Sequence, residues 1–126
     1  MKKIILASHG NFSVELKRSL EMIMGEQPDI QTITLSEEEG DVDFRKKIDT
    51  ITSELNGYTV FTDLLGGTPC NVFAKQLVES KNFTLYAGMN LPMVIQWVNN
   101  QMLNQETNLV ENGREGLVNV GEVLSK

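Results

Sequence analysis

The run Thr62-Asp63-Leu64-Leu65-Gly66-Gly67-Thr68-Pro69-Cys70-Asn71 joins two stretches of different period. Before it, Tyr58-Thr59-Val60-Phe61 is β-branched and aromatic and reads as a buried strand. After it, Val72, Phe73, Leu77 and Val78 recur at helical spacing and are expected to face the core. Thr68 suits an N-cap. Pro69 suits the first helical position, where its missing N–H would have had no acceptor anyway. The two glycines in the bend permit positive φ and let backbone N–H groups approach a ligand closely. A helix N-terminus presented in this way is a site for phosphate or another oxyanion. Asp63 is out of place beside an anion unless it orients some other group, and the candidate for that group is the sole histidine, His9.

The 126 residues are enough for one domain with a real core, and the expected organisation is a single domain over 1–126. The formal net charge of −6 argues against nucleic acid or an acidic membrane surface as a partner and leaves a basic protein partner open. One cysteine excludes an internal disulfide and any multi-cysteine zinc site. Met1-Lys2-Lys3-Ile4-Ile5-Leu6-Ala7 is too short in apolar residues for a signal peptide, and no long apolar span follows. A cytoplasmic protein with no direct membrane insertion is expected.

Towards the N-terminus, residues 4–7 are unbroken apolar, as in a parallel strand buried on both faces. Ser8-His9-Gly10-Asn11 ends the run. Phe12, Leu16, Leu20, Ile23 and Met24 then follow at helical spacing, and Gly25 closes the helix. Residues 30–35 read as a second strand. The acidic Glu37-Glu38-Glu39-Gly40-Asp41 is a solvated approach to a helix N-terminus, followed by the stripe Phe44, Ile48, Ile51 and Leu55, with Asn56-Gly57 as its stop. Beyond the central turn, residues 83–87 read as a fourth strand and Gly88-Met89-Asn90-Leu91-Pro92 as a loop, with Pro92 opening a helix. Met93, Val94, Trp97 and Val98 form a short apolar face; Met89, Met93 and Trp97 read as core or as partner contact. A polar helix is expected over 99–115 and a fifth, short strand over 117–120.

The alternation of strands and helices predicts an α/β fold: a doubly wound, mostly parallel open sheet of order 2-1-3-4 with helices on both faces. Ligands of such sheets bind beyond the carboxyl ends of the strands where the winding reverses, here between the first and third strands. Those strands end at His9 and Asp63, and adjacent strands lie roughly 4.8 Å apart, so the two side chains can meet. With one histidine and one cysteine, a zinc site is not expected, and no cofactor is called for. A neutral imidazole can act as a nucleophile through one nitrogen while a carboxylate holds the proton on the other. Asp63 suits that role, though it would equally cap a turn. Backbone N–H groups around Gly66, Gly67 and Thr68, those opening the helix after His9 and Gly10, and the Thr68 hydroxyl are the candidate phosphate-binding groups. Cys70 in the first helical turn reads as packing.

Ser8-His9-Gly10 and the run from Asp63 to Asn71, together with Ala87-Gly88-Met89-Asn90-Leu91-Pro92-Met93 and Gly113-Arg114-Glu115-Gly116, resemble the IIA subunit of the mannose family of phosphoenolpyruvate-dependent sugar phosphotransferase systems. The likeness covers nearly the whole chain. It implies a phosphotransferase component whose phosphohistidine is His9, hydrogen-bonded by Asp63. It implies HPr as phosphoryl donor, a separate IIB subunit as acceptor and, through IIB, the membrane permease subunits. It also implies a homodimer in which the last strand is exchanged. A regulatory phosphorylation sensor, or the phosphate donor subunit of a dihydroxyacetone kinase, is the alternative reading; the Gly66-Gly67-Thr68-Pro69 turn favours sugar transport. Leu64 and Leu65 are given no role by the resemblance.

Overall fold

A computed structural model describes residues 3–53, 55, 57–80 and 82–125. Asn56, half of the expected Asn56-Gly57 helix stop, lies outside the described residues; Gly57 itself has φ +78°. The chain divides into two compact units, residues 1–89 and 90–126.

In the first unit the order is β1 (Lys3–His9), α1 (Phe12–Met24), β2 (Ile30–Leu35), α2 (Asp41–Thr52), β3 (Tyr58–Thr62), α3 (Thr68–Ser80) and β4 (Phe83–Ala87). The four strands form one parallel sheet of order β2-β1-β3-β4, as the alternation of the sequence predicts. Ala7 pairs with Ile33 on one side and with Thr62 on the other, so β1 is the central strand at which the winding reverses. Right-handed crossovers then place α1 on one face and α2 with α3 on the other.

The period-2 parity of the strands sorts the core. Ile5, Ala7, Ile33, Leu35, Tyr58 and Val60 pack with Phe44 and Ile48 of α2 and Val72 and Phe73 of α3. Phe73 meets Phe44 and Phe83 edge-on, and Tyr58 stacks on Phe83 at 5.0 Å. The opposite parity of β1, Ile4, Leu6 and Ser8, is fully buried as well. This two-sided burial is why residues 4–7 read as an unbroken apolar run rather than an alternating one.

Several expected core positions are corrected. On α1 the buried stripe is Ser13, Leu16 and Leu20, whereas Phe12 and Ile23 are exposed. A serine occupies the place of an apolar residue because its hydroxyl is hydrogen-bonded to the Ile33 carbonyl at 3.3 Å. On α3, Val78 is exposed and the buried face runs through Val72, Phe73 and Gln76. The α3 cap moves by one residue. The Gly67 carbonyl accepts the Asn71 N–H at 2.9 Å, so Gly67 is the N-cap, Thr68 the first helical residue and Pro69 the second. Proline is still tolerated there, since no intrahelical bond reaches the first-turn N–H groups.

The second unit holds α4 (Leu91–Leu103), α5 (Leu109–Glu115) and α6 (Val120–Leu124). The polar helix expected over 99–115 is two helices. Asn104, with φ +50°, ends α4 in the left-handed conformation, and Asn108 caps α5 by accepting the Glu111 N–H. Asn90 caps α4 through the Met93 N–H and donates its amide to the Gly113 carbonyl at 2.8 Å. A side chain at Gly113 would press on Met93 at 3.3 Å, and one at Gly116 would strike the Pro92 ring. Two motifs more than twenty positions apart in sequence are thus one packed contact. The strand expected over 117–120 does not form. Residues 117–119 have no regular structure and Val120 opens α6, because the Asn119 side chain accepts the Glu122 N–H and nucleates a helical turn.

Candidate active site

His9 carries the parity of Ile5 and Ala7, so its ring leaves the end of β1 on the side where α3 begins. Asp63 follows Thr62, the residue paired with Ala7, one step beyond the end of β3. Their meeting is therefore a consequence of register. Asp63 Oδ2 lies 2.9 Å from His9 Nδ1 and also accepts the His9 backbone N–H at 2.9 Å. A carboxylate oxygen can only accept, so the ring proton resides on Nδ1 and Nε2 keeps its lone pair. The other carboxylate oxygen, Oδ1, is buried and meets no donor among the described residues. Among the described residues the carboxylate therefore directs its hydrogen bonding at His9 alone. The His9 side chain is 47% exposed, against 15% for Asp63, so the imidazole is open to solvent and its partner is shielded.

Gly67 closes the other side of the ring. A Cβ built on Gly67 would lie 2.6 Å from His9 Cε1 and 3.3 Å from Nε2. Only glycine lets the N-cap of α3 sit against the imidazole edge. Gly66, with φ +86°, makes the bend that brings it there. The turn is held by the Gly67 N–H on the Leu64 carbonyl at 3.3 Å and by the Asn71 side-chain amide on the Gly66 carbonyl at 3.1 Å. Helix geometry leaves the N–H groups of Thr68 and Cys70 without intrahelical acceptors, at the positive end of the α3 dipole. Leu64 and Leu65 are exposed on the rim of the turn, and Cys70 is buried.

Of the expected residues, His9, Asp63, Gly66, Gly67 and Thr68 all follow or close the carboxyl ends of β1 and β3, with His9 and Asp63 meeting across the boundary between the two strands. Gly10 serves differently from expectation. Its N–H is taken by the Leu35 carbonyl at 2.7 Å, and its φ of +51° turns the chain into α1, so it shapes the loop and offers no N–H to a ligand. Ser8 is the residue that sequence reasoning passed over. It is fully buried, donates to the Gly10 carbonyl at 3.0 Å and accepts the Ser13 N–H at 2.8 Å. The signal was a hydroxyl at the end of an otherwise apolar buried strand, which requires partners. Among the described residues no cluster of three or more His, Cys, Asp or Glu side chains could hold a metal, and no helix is long and apolar enough to cross a membrane.

Residues 3–113 match the family of PTS system fructose IIA components, EIIA-man, where PTS denotes the phosphotransferase system. The chain is 34% identical over 99 residues to a PTS system sorbose-specific EIIA component of Lacticaseibacillus casei, covering 75% of this chain and 70% of that protein. It is 26% identical over 122 residues to the PTS system mannose-specific EIIAB component of Escherichia coli K12, covering 90% of this chain but 38% of that longer protein. The crystal structure of a phosphotransferase system component EIIA from Streptococcus agalactiae superposes with a TM-score of 0.86 at 31% identity, covering 97% of this chain and 99% of the other. The chain belongs to the EIIA-man family, the IIA components of the mannose, sorbose and fructose branch of the sugar phosphotransferase system.

Proposed function

We propose that His9 accepts a phosphoryl group on Nε2 from phospho-HPr and passes it to a IIB subunit, which serves the membrane permease subunits in sugar uptake. The observation that carries the reading is the 2.9 Å bond between His9 Nδ1 and Asp63, which leaves Nε2 of a half-exposed imidazole as the free nucleophile. In the transfer, the bond from Nε2 to phosphorus forms as the bond from phosphorus to the donor's leaving atom breaks, its electron pair staying on the donor. The phosphorylated ring holds its Nδ1 proton more loosely, and the Asp63 carboxylate offsets the positive charge that develops there. The phosphoryl oxygens lie near the start of α3, where the Thr68 N–H and hydroxyl provide donors at the positive end of the helix dipole; Gly66 and Gly67 shape the bend, the Gly67 N–H being held by the Leu64 carbonyl at 3.3 Å.

The experiment is incubation with phosphoenolpyruvate, enzyme I and HPr, followed by assay for an acid-labile phosphate. Wild type is expected to acquire one phosphate per chain and His9→Ala none, with its fold intact because the ring lies outside the sheet body. A wild type that stays unlabelled, or a labelled His9→Ala, overturns the assignment. Adding a IIB subunit to the phosphorylated protein is expected to discharge it. Discharge only to a dihydroxyacetone kinase subunit would move the protein to that pathway.

A further inference from the structure

We propose that Ser8 is a positioning residue for His9, and that its buried hydroxyl fixes the direction in which Nε2 points; this rests on His9 being the phosphoryl acceptor. The Ser8 hydroxyl donates to the Gly10 carbonyl, two residues on, so the bond closes a loop around His9 itself. The same oxygen accepts the Ser13 N–H in the first turn of α1. Ser13 in turn donates its hydroxyl to the Ile33 carbonyl of β2, and Gly10 donates its N–H to the Leu35 carbonyl of the same strand. These four bonds form a continuous polar path that pins the β1–α1 turn to β2 from below. Above, Asp63 takes both the His9 N–H and the ring Nδ1. His9 is thus held at its backbone from both sides, and the ring has no need to search for its orientation at the moment of transfer.

Ser8 is the hub because, among the described residues, it is the one side chain bonded to both the residue after His9 and the start of α1. Removing the hydroxyl frees the Gly10 carbonyl and leaves a Ser13 N–H buried without its acceptor. The turn then relaxes and the alignment of Nδ1 with Asp63 loosens with it. Ser13 provides the matched comparison, since Ser13→Ala also deletes a fully buried hydroxyl but leaves the Ser8–Gly10 bond in place.

The test compares Ser8→Ala, Ser8→Thr and Ser13→Ala with wild type in three measurements. These are the kinetics of phosphorylation by phospho-HPr, the nitrogen-15 spectrum of the His9 ring, and thermal stability. Ser8→Ala is expected to lower kcat by about tenfold or more at nearly unchanged KM, as a small misplacement of a nucleophile does. Its ring is expected to change from one tautomer to a mixture. Ser8→Thr, which keeps the hydroxyl, is expected to restore the single-tautomer spectrum, and Ser13→Ala to lose distinctly less kcat than Ser8→Ala at a comparable loss of thermal stability, because the Ser8–Gly10 bond survives in it. If Ser8→Ala does not fold, Ser8→Cys fills the same space with a far poorer hydrogen-bonding group and carries the same expectation. Wild-type kcat and ring spectra in the variant, or losses in Ser8→Ala and Ser13→Ala that simply follow their stabilities, overturn the proposal. The ring spectra need no phosphate donor, so they decide the role of Ser8 even if labelling shows that His9 is not the acceptor.

Discussion

Gly67 separates sterics from backbone strain at the residue scale. Its φ is not positive, so alanine meets no conformational penalty, yet its Cβ would lie 2.6 Å from His9 Cε1. Gly67→Ala is therefore expected to fold with a stability loss of about 1 kcal/mol, since alanine is the poorer N-cap residue. The ring must turn away from Asp63 to admit the methyl group, and phosphoryl acceptance should fall about a hundredfold, a loss typical of a misplaced reactive group. Rapid-quench transfer from phospho-HPr beside a denaturation curve checks both halves, and an unaffected rate would show that the ring has room to spare. Asp63→Asn probes the opposite edge. The amide keeps the size and can still accept from Nδ1, but it can also flip and donate, favouring the wrong tautomer. Charge-assisted bonds are stronger than neutral ones by about 1–2 kcal/mol, which corresponds to a roughly five- to thirtyfold slower transfer. Neutralising Asp63 also removes its repulsion of the incoming phosphoryl group. Orientation wins because the carboxylate faces the nitrogen remote from phosphorus. A wild-type transfer rate in Asp63→Asn would reduce Asp63 to a cap of its turn.

At the scale of elements, β2 is the edge of the sheet and α2 guards it. Lys47 of α2 donates to the Thr34 backbone carbonyl at 2.7 Å and to the Glu39 carboxylate at 2.7 Å. Glu39 also accepts the Ser36 N–H, tying the acidic approach loop to the end of β2. An outward carbonyl that would otherwise be open to another strand is thus occupied by a charged side chain. The Lys47 hydrogen bond, then the Ser36 N–H, hold the Glu39 carboxyl below its ordinary value of 4.5. A depressed folded-state pKa means that this contribution to stability is fully present above the unfolded value and is lost as pH falls through the folded one. Titration of the carboxyl carbon signal is expected to give a Glu39 midpoint below 4.5, and Lys47→Met to raise it towards that value. An unchanged midpoint in the variant would remove Lys47 as the cause.

For the whole molecule, the proposal is a homodimer. Leu117, Val118, Val120, Val123 and Leu124 are all exposed within eight successive positions near the C-terminus, a density of apolar surface that a monomer rarely leaves uncovered. The occupant proposed is the same segment of a second copy, the simplest self-complementary arrangement. Sedimentation at micromolar concentration is expected to give twice the chain mass, and deletion of residues 117–126 to give a monomer. A wild-type monomer whose behaviour the deletion leaves unchanged would refute this.

Taken alone, the sequence determined what depends on near neighbours. Period and breakers placed all four strands and the helices between them, and the strand order followed from handedness. The ends of β1 and β3 then brought His9 and Asp63 to one place, because parallel register carries local information across the sheet. Tertiary structure decided what depends on distance through space. The demand for glycine at position 67 comes from a ring 58 positions away, which no local pattern encodes. Gly10 reads like a phosphate-binding glycine until the Leu35 carbonyl is seen to hold its N–H. Ser13 and Val78 exchange their expected burial because a hydroxyl with a partner is tolerated inside, whereas helical period alone does not say where a helix rolls on its sheet. The apolar residues 117–120 have strand character but no ladder to join, and the Asn119 cap turns the chain into a helix instead. A strand exists only through its hydrogen-bonded neighbour, whereas a helix carries its hydrogen bonds within itself.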